Sequence, residues 1–511
     1  MITHRLLAPL ALAALLAACA RPAAAPSLRP VALAAIDSMA LRAHTYVLAH
    51  DLLEGRGTGR RGADVAALYL ATEAERLGLH GAGPGGGFFQ PVPLIEATID
   101  SARTRLVLTG PGTSEEFAYG TGFIPNVGTA RTLVPFAGEP VYVGSAQDVL
   151  AAHDRLPPLV GRVILLAGMF GSEGAAADTL RARGATGVIH LVGDDERFQL
   201  YVRSRGPSRM FIAEEAGAVS SFIPDIPAVI ASPGLERVLL AGLQGTEASA
   251  ARLERPIVLA GKRVEVSIGV TTRPLPARNV AALLPGTDPL LADEVVVYTA
   301  HYDHLGLSTP DERGDSIYNG FSDDAAGAAM LLVIAKAMRS ELRPARSVLF
   351  LFLTGEERGL LGSDYYAAHP LFQPARTVAG INLDAGAPPA PGVVWRIAGG
   401  GLSTMGAVAI AVAHRAGWEA QVAPASPNSD YFPLLRIGVP AVFLVPGPGA
   451  FEGMTTESSN ALRRRWDHYH QPGDHWFADF PFSGLVRYAE YAYRLGLEVA
   501  SGPRPAMIPP R

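Results

Sequence analysis

Two adjacent glutamates, Glu356 and Glu357, follow a run of apolar residues in the stretch VLFLFLTGEERGLLGS. A short apolar run of this kind predicts a buried strand, and like charges side by side at its end gain nothing from each other. Two carboxylates at one strand end can instead divide a chemical task, one as a metal ligand and one as a proton acceptor. The pair therefore marks a candidate catalytic site.

Other acidic and imidazole side chains follow predicted strands in the same way. They are His301, Asp303 and His304 after EVVVYTA, Asp384 after VAGINL, Asp323 and Asp324 in NGFSDDAAG, and Asp467, His468, His470, Asp474 and His475 in WDHYHQPGDHW. A single strand-end aspartate is usually a turn or helix cap, but several such clusters at one sheet edge are unlikely to arise by chance. Imidazole and carboxylate ligands without thiolate suit zinc in a hydrolytic site.

The elements that would carry these residues predict an α/β domain with a mostly parallel mixed sheet sandwiched by helices. From Arg278 onward, continuous apolar strands alternate with helices, and ligands gather at the C-terminal ends of strands in such sheets. The predicted elements are helices at 62–77, 323–339, 359–368, 403–416 and 482–500, and strands at 346–353, 376–383 and 440–445.

The motifs AHYDH, SDDAAG, GEERGLLGS, INLD and YHQPGD, in this order and spacing, resemble the co-catalytic di-zinc peptidases of the bacterial leucyl aminopeptidase and glutamate carboxypeptidase type. The resemblance covers about residues 40–117 and 265–500. It implies the zinc exopeptidase fold, two Zn²⁺ ions per chain and a peptide substrate.

The same resemblance implies roles for eight residues, residue by residue. The implied metal ligands are His301, Asp323, Glu357, Asp384 and His470, with Asp323 as the bridge between both metals. Glu356 is the implied general base, Asp303 the carboxylate that orients a ligand, and Tyr469 a residue that stabilises the oxyanion.

The remaining polar residues near these motifs are expected to have structural roles. Asp324 is expected to cap or brace its helix, and Asp474 to support the loop of His470. Loop hydrogen bonding is expected for His304, His468 and His475, and helix N-capping for Ser429 and Asp430; a direct role in the site is the alternative for the three histidines and for Asp430.

Residues 118–264 contain short β-runs and one helix, without a cluster of acids and histidines. This pattern resembles the protease-associated domain, a small β-rich module inserted into secreted peptidases, which implies a role in substrate access; an extra structural lobe is the alternative. The predicted peptidase domain is accordingly split between residues 36–117 and 265–500, with a C-terminal tail at 501–511.

The N-terminus has a basic start and an apolar run from Leu6 to Ala18, which is too short to span a bilayer and fits a signal peptide at residues 1–18. It ends before Cys19, the only cysteine, in a sequence that resembles a bacterial lipobox. The resemblance implies lipidation of Cys19, a tether at 19–35 and a place in the cell envelope. Because Ala20 follows, the outer membrane is expected. A net charge of −5 gives no indication of nucleic-acid binding.

The function predicted is a zinc-dependent metallopeptidase, and within the family an aminopeptidase. The carboxypeptidase branch typically carries a further C-terminal helical domain, whereas this sequence ends soon after the last predicted helix. The alternatives are a glutamate-carboxypeptidase-like enzyme, a glutaminyl cyclase-like enzyme with one zinc, and a non-catalytic surface binding protein. The preferred N-terminal residue, the native metal and the oligomeric state are not predictable from the sequence.

Overall fold

The structure is a computed structural model that describes residues 33–126, 133–169, 175–205, 207–213, 226–241, 243, 256–340 and 343–509. The predicted signal peptide, Cys19 and most of the predicted tether lie outside these residues. Among the residues described, none of the helices is long and apolar enough to cross a membrane.

Twelve α-helices are present in the described part of the chain. In chain order they are α1 (Ser38–Leu48), α2 (Arg61–Arg76), α3 (Ala146–Ala151), α4 (Ala175–Ala182), α5 (Asp195–Arg205), α6 (Pro233–Leu239), α7 (Ala326–Ser340), α8 (Leu361–Ala368), α9 (Met405–Arg415), α10 (Tyr431–Arg436), α11 (Thr456–Trp466) and α12 (Ser483–Ser501).

The strands, numbered in the same way, include two that are much longer than the rest. They are β1 (His80–Gly81), β2 (Phe89–Gly110), β3 (Thr113–Ala118), β4 (Phe123–Pro125), β5 (Phe136–Ser145), β6 (Arg162–Ala167), β7 (Gly187–Leu191), β8 (Ser208–Ile212), β9 (Ala228–Ala231), β10 (Ile257–Val258), β11 (Arg263–Leu284), β12 (Val295–His301), β13 (Gly306–Leu307), β14 (Ile317–Tyr318), β15 (Ser347–Leu353), β16 (Thr377–Asn382), β17 (Val394–Ala398), β18 (Glu419–Ala423) and β19 (Ala441–Pro446).

The central sheet has the order β11–β15–β12–β16–β19–β17–β18. Strands β15, β12, β16 and β19 are parallel neighbours, whereas β11 and β17 pair antiparallel to β15 and β19. Every residue of β12, β15 and β16 is buried, as expected for strands covered by helices on both faces. One face packs against α1, α7 and α12 and the other against α10. The predicted fold class, a mixed α/β sheet flanked by helices, is confirmed.

A second lobe is built around a long ribbon that leaves the central sheet. Strands β2 and β11 pair antiparallel from Phe89 opposite Val280 to Thr109 opposite Arg263. Beyond the ribbon, β5, β6, β7 and β9 form a parallel set with its own apolar core. The predicted boundary between residues 264 and 265 lies inside β11, so the two parts are joined by continuous strands. The division into a peptidase domain and a protease-associated domain stays a prediction.

Candidate metal centre

The predicted site residues meet at the C-terminal edge of the central sheet. His301 is the last residue of β12, Asp384 follows β16, and Glu356 and Glu357 lie in the short 3₁₀ turn after β15. Since β12, β15 and β16 are parallel neighbours, their C-terminal ends lie side by side. The apolar runs that form these strands therefore bring together side chains far apart in the sequence.

Asp323 lies between two histidines, one on each side. Its Oδ1 is 3.0 Å from His301 Nε2, and its Oδ2 is 3.0 Å from His470 Nε2. Asp323 belongs to the tight turn Phe321–Ala325 that leads into α7, and its peptide bond with Asp324 is cis. The two oxygens of this one carboxylate thus face two different histidines.

Two groups of side chains flank Asp323, each compact enough to hold a metal ion. The first comprises His304, Asp323, Glu357 and His470, and the second comprises His301, Asp324 and Asp384. In the first, His470 Nε2 lies 3.2 Å from Glu357 Oε2; in the second, His301 Nε2 lies 3.2 Å from Asp384 Oδ1. All five predicted metal ligands therefore belong to one group or the other.

Several donor atoms of the first group lie close together but have no hydrogen-bond partner among the described residues. His304 Nδ1 approaches Glu357 Oε1 to 2.5 Å, yet neither atom has a hydrogen-bond partner in the described structure, and His470 Nε2 also has none. Buried polar atoms without partners are uncommon and call for an explanation such as an ion. Imidazole nitrogens and carboxylate oxygens are ligands that zinc takes in proteins. The residues present therefore fit a metal centre.

The adjacent glutamates lie in opposite electrostatic environments. Burial raises the pKa of Glu356 well above its usual value, and the carboxylates of Asp384, Asp430 and Glu357 raise it further. Burial and Asp323 would also raise the pKa of Glu357, but the imidazoles of His304 and His470 outweigh them and hold that pKa at about 2. One glutamate is thus disposed to take up a proton and its neighbour to remain ionised.

Asp303 lies behind the centre and is fully buried. Its carboxylate accepts a hydrogen bond of 2.6 Å from Thr58 Oγ1 and one of 3.3 Å from the Glu356 backbone N–H. The Nδ1 atom of His301 lies 3.0 Å from the backbone oxygen of Asp303 and 3.8 Å from its carboxylate. The structure therefore places Asp303 beside His301, with its backbone carbonyl as the nearer partner.

Tyr469 stands at the rim of the site. Its side chain is 64% exposed, and its ring stacks on His470 with centroids 3.8 Å apart. A cleft of about 420 Å³ opens here, and Asp323 and Asp384 are among the residues that line it. The lining also includes apolar and aromatic side chains together with two charged ones: Ala385, Ala387, Pro388, Pro389, Pro446, Phe451, Trp466, His468, Tyr469, Arg463 and Asp467.

Two supporting residues behave as the sequence predicted. The carboxylate of Asp474 accepts backbone hydrogen bonds from Ser322 and Asp323, so it joins the His470 loop to the Asp323 turn. Asp324 Oδ1 accepts a 2.9 Å hydrogen bond from the Gly327 N–H at the start of α7, as expected of a helix cap.

The N-cap prediction for Ser429 and Asp430 is wrong. Asp430 precedes α10 without a side-chain cap and instead accepts a hydrogen bond from Ser363 Oγ. Ser429 Oγ donates to the carboxylate of Asp384 and accepts a 2.6 Å hydrogen bond from Asn382 Nδ2. Ser429 is thus held by residues at the end of β16, and Asp430 by a residue of α8.

His304 is the residue of the centre that the sequence analysis missed. The sequence favours loop hydrogen bonding for His304 over a direct role, but its ring is fully buried among Asp323, Glu357 and His470. Its position three residues after His301 was the available signal, although spacing in a loop does not fix side-chain direction. The other loop histidines lie outside both groups, and His475 Nδ1 is 3.0 Å from the Trp476 backbone oxygen.

Known proteins resemble this chain in sequence and in fold. Residues 279–492, which contain both groups of side chains, match the family described as peptidase family M28. The structure of an aminopeptidase from Aneurinibacillus sp. strain AM-1 is similar with a TM-score of 0.54 and 19% identity, covering 94% of this chain and 98% of that one. That similarity shows the fold.

Two curated relatives are similar over shorter segments. A probable zinc metalloprotease of Pyricularia oryzae is 36% identical over 117 residues, which are 21% of this chain and 22% of that protein. The probable leucine aminopeptidase 2 of Aspergillus oryzae is 41% identical over 91 residues, 18% of this chain and 16% of that protein. The match thus spans about a fifth of the length of these relatives.

Proposed function

We propose that this protein is a two-zinc aminopeptidase that removes the N-terminal residue from peptides. The observation that carries the proposal is the carboxylate of Asp323, whose oxygens lie 3.0 Å from His301 on one side and 3.0 Å from His470 on the other. A single carboxylate shared in this way is what a pair of neighbouring metal ions requires as a bridge.

The ligand set of the proposed centre follows from the two groups. His301 and Asp384 would hold one ion, Glu357 and His470 would hold the other, and Asp323 would serve both. His304 lies against Glu357 and orients its carboxylate. Three of these five ligands are carboxylates, which offset most of the charge of two divalent ions. When bound, two zinc ions polarise the scissile carbonyl and lower the pKa of water toward neutrality.

The chain's own residues would then move the proton and hold the substrate. Glu356 has a raised pKa and can accept a proton from water and later transfer it to the leaving amine. Tyr469, at the rim beside His470, can donate a hydrogen bond to the oxyanion. The apolar walls of the cleft exclude water from the N-terminal side chain of the peptide.

An aminopeptidase is preferred to a carboxypeptidase because the similar proteins named above include aminopeptidases, one from Aneurinibacillus sp. strain AM-1 and one from Aspergillus oryzae.

Blocking the peptide N-terminus is expected to abolish cleavage. The enzyme should hydrolyse aminoacyl-p-nitroanilides, and N-acetylation of the same compounds should remove activity because the amino group loses its charge. Release of nitroaniline measures both, with zinc-chelated protein as the blank. Equal cleavage of acetylated compounds, or release of C-terminal residues from peptides, would contradict an aminopeptidase. One metal ion per chain together with glutaminyl cyclase activity would favour the glutaminyl cyclase alternative. Bound zinc without hydrolysis of any of these compounds would favour a binding protein.

We further propose that residues 118–264 form a protease-associated domain that shapes access to the cleft, and that the chain is an exported lipoprotein anchored through Cys19 in the outer membrane. Both rest on the sequence patterns described above. In a bacterium fed with labelled palmitate, the wild-type chain should carry label in the outer-membrane fraction, and Cys19→Ser should carry none. Label that persists in Cys19→Ser would refute the assigned anchor.

A further inference from the structure

A tight turn immediately before α2 lies against the metal centre. In this turn Glu54, Gly55 and Arg56 all have positive φ, an arrangement that non-glycine residues rarely adopt. A Cβ atom on Gly55 would lie 2.3 Å from the Tyr318 backbone oxygen and 2.8 Å from that of Gly306, so only glycine fits there. The backbone at Gly55 therefore packs directly against the backbone of Gly306 and Tyr318, with no room for a side chain.

The guanidinium of Arg56 connects these loops from the inside. Arg56 is 0% exposed, and Nε donates to the Tyr302 backbone oxygen at 2.7 Å. Nη1 donates to the backbone oxygens of Leu48 and Asn319, and Nη2 to that of Gly320 at 2.7 Å. These four carbonyls belong to the end of α1, the loop after β12 and the loop before Asp323.

The backbone of the same turn holds the residues that follow His301. The His304 N–H donates to the Arg56 backbone oxygen at 3.1 Å, and Thr58 Oγ1 donates to the Asp303 carboxylate at 2.6 Å. Tyr302, Asp303 and His304 are thus each fixed by Arg56 or by Thr58. The turn fixes one loop of the centre through three consecutive residues and the other through Asn319 and Gly320.

We propose that Arg56 is a positioning residue of the metal centre, which holds the His301–His304 loop and the Asp323 loop at the separation that lets Asp323 face both His301 and His470. This inference rests on the proposed two-zinc function, since the separation matters only if Asp323 bridges. Arg56 touches neither substrate nor ligand atoms and acts through the backbone of the loops that carry them.

Both the charge and the shape of the Arg56 side chain suit its buried position. Burial lowers the pKa of Arg56 to about 10, and the carboxylates of Asp474, Asp303, Asp323 and Asp324 oppose the decrease, so the side chain stays protonated at neutral pH. A planar guanidinium presents five donors in fixed directions, and four carbonyls here accept from three of its nitrogens. The single ammonium of lysine cannot reach all of these carbonyls at once.

Substitution of Arg56 tests the inference, with Arg346 as the matched control. Arg346 is also buried, with 5% exposure, and donates to the backbone oxygens of Val499 and Gly502 and to Glu294, far from the centre in the fold. The four variants are Arg56→Lys, Arg56→Met, Arg346→Lys and Arg346→Met. Zinc affinity is measured on the full chain by competition with a chromophoric chelator, and the melting temperature is measured on the metal-free protein.

Arg56→Lys is expected to lower zinc affinity by about 10- to 100-fold, the usual effect of losing a residue that orients ligands. The visible absorption of the cobalt-substituted protein should shift, because the ligand geometry changes. Arg346→Lys should lower the melting temperature and leave both zinc affinity and the cobalt spectrum as in the wild type. If Arg56→Met does not fold, Arg56→Lys carries the test by itself.

Two outcomes would overturn the inference while leaving the proposed function intact. One is a folded Arg56→Lys protein with wild-type zinc affinity and cobalt spectrum. The other is an equal loss of zinc affinity in Arg346→Lys, which would make the effect one of general stability. Failure of the wild-type protein to bind zinc would instead refute the proposed function, and the inference with it.

Discussion

Replacing Glu356 by glutamine is expected to remove turnover and leave the metal centre in place. Glutamine keeps the shape of the side chain but cannot accept a proton, and loss of a general base costs on the order of 10²- to 10⁴-fold in rate. Zinc content should stay at the wild-type value because neither group of metal-binding side chains includes Glu356. Steady-state kinetics and zinc analysis on the same preparation measure both quantities.

The neighbouring glutamate supplies the control for this experiment. Glu357 lies 3.2 Å from His470 and belongs to the first group, so Glu357→Gln should lose zinc as well as turnover. Full activity in Glu356→Gln would show that another residue is the base. Loss of zinc in Glu356→Gln would show that this side chain is a ligand, and the division of the pair would be wrong.

The parts of the centre that could be predicted lie where the sequence alone determines the backbone. The apolar runs at 346–353 and 376–383 predict buried strands, and parallel strands place the residues that follow them at one edge. Ser347–Leu353 and Thr377–Asn382 form as predicted, with Glu356, Glu357 and Asp384 after them. The motifs that carry the family resemblance then identified five metal ligands, and the structure brings their side chains together.

The parts that could not be predicted depend on contacts between residues far apart in the sequence. The backbone N–H of His304 donates to the Arg56 backbone oxygen, and three of the four carbonyls that bind the Arg56 guanidinium lie 246 to 264 residues away in the sequence. Ser429 was predicted to cap a helix, but its hydroxyl group instead forms hydrogen bonds with Asp384 and Asn382, which lie 45 and 47 residues earlier in the sequence. The ribbon of β2 and β11 likewise depends on pairing between strands separated by the whole inserted lobe. Local patterns carry no signal for such partners.

Asp323→Asn is expected to have the largest effect on the metal centre. An amide presents one oxygen and one NH₂ group, and the NH₂ group does not bind zinc, so the side chain can serve one side of the centre at most. Because the two carboxylate oxygens face His301 and His470 separately, the site that faces the NH₂ group should lose its ion, and the site that keeps the neutral amide oxygen should bind its ion less tightly than in the wild type. Native mass spectrometry should find fewer than two zinc ions per chain, and the rise in melting temperature on adding zinc should shrink.

The adjacent aspartate gives a closely matched comparison. In Asp324→Asn the amide oxygen can still accept the hydrogen bond from the Gly327 N–H, and Asp324 is not among the five proposed ligands. This variant should keep two zinc ions and most of its activity, whereas Asp384→Ala and His470→Ala should each lose one. Loss of a single ion in Asp323→Asn, with the other bound as in the wild type, would assign Asp323 to one site only. Loss of zinc in Asp324→Asn would place Asp324 in the ligand set, because its second oxygen has no hydrogen-bond partner and lies beside His301 and Asp384.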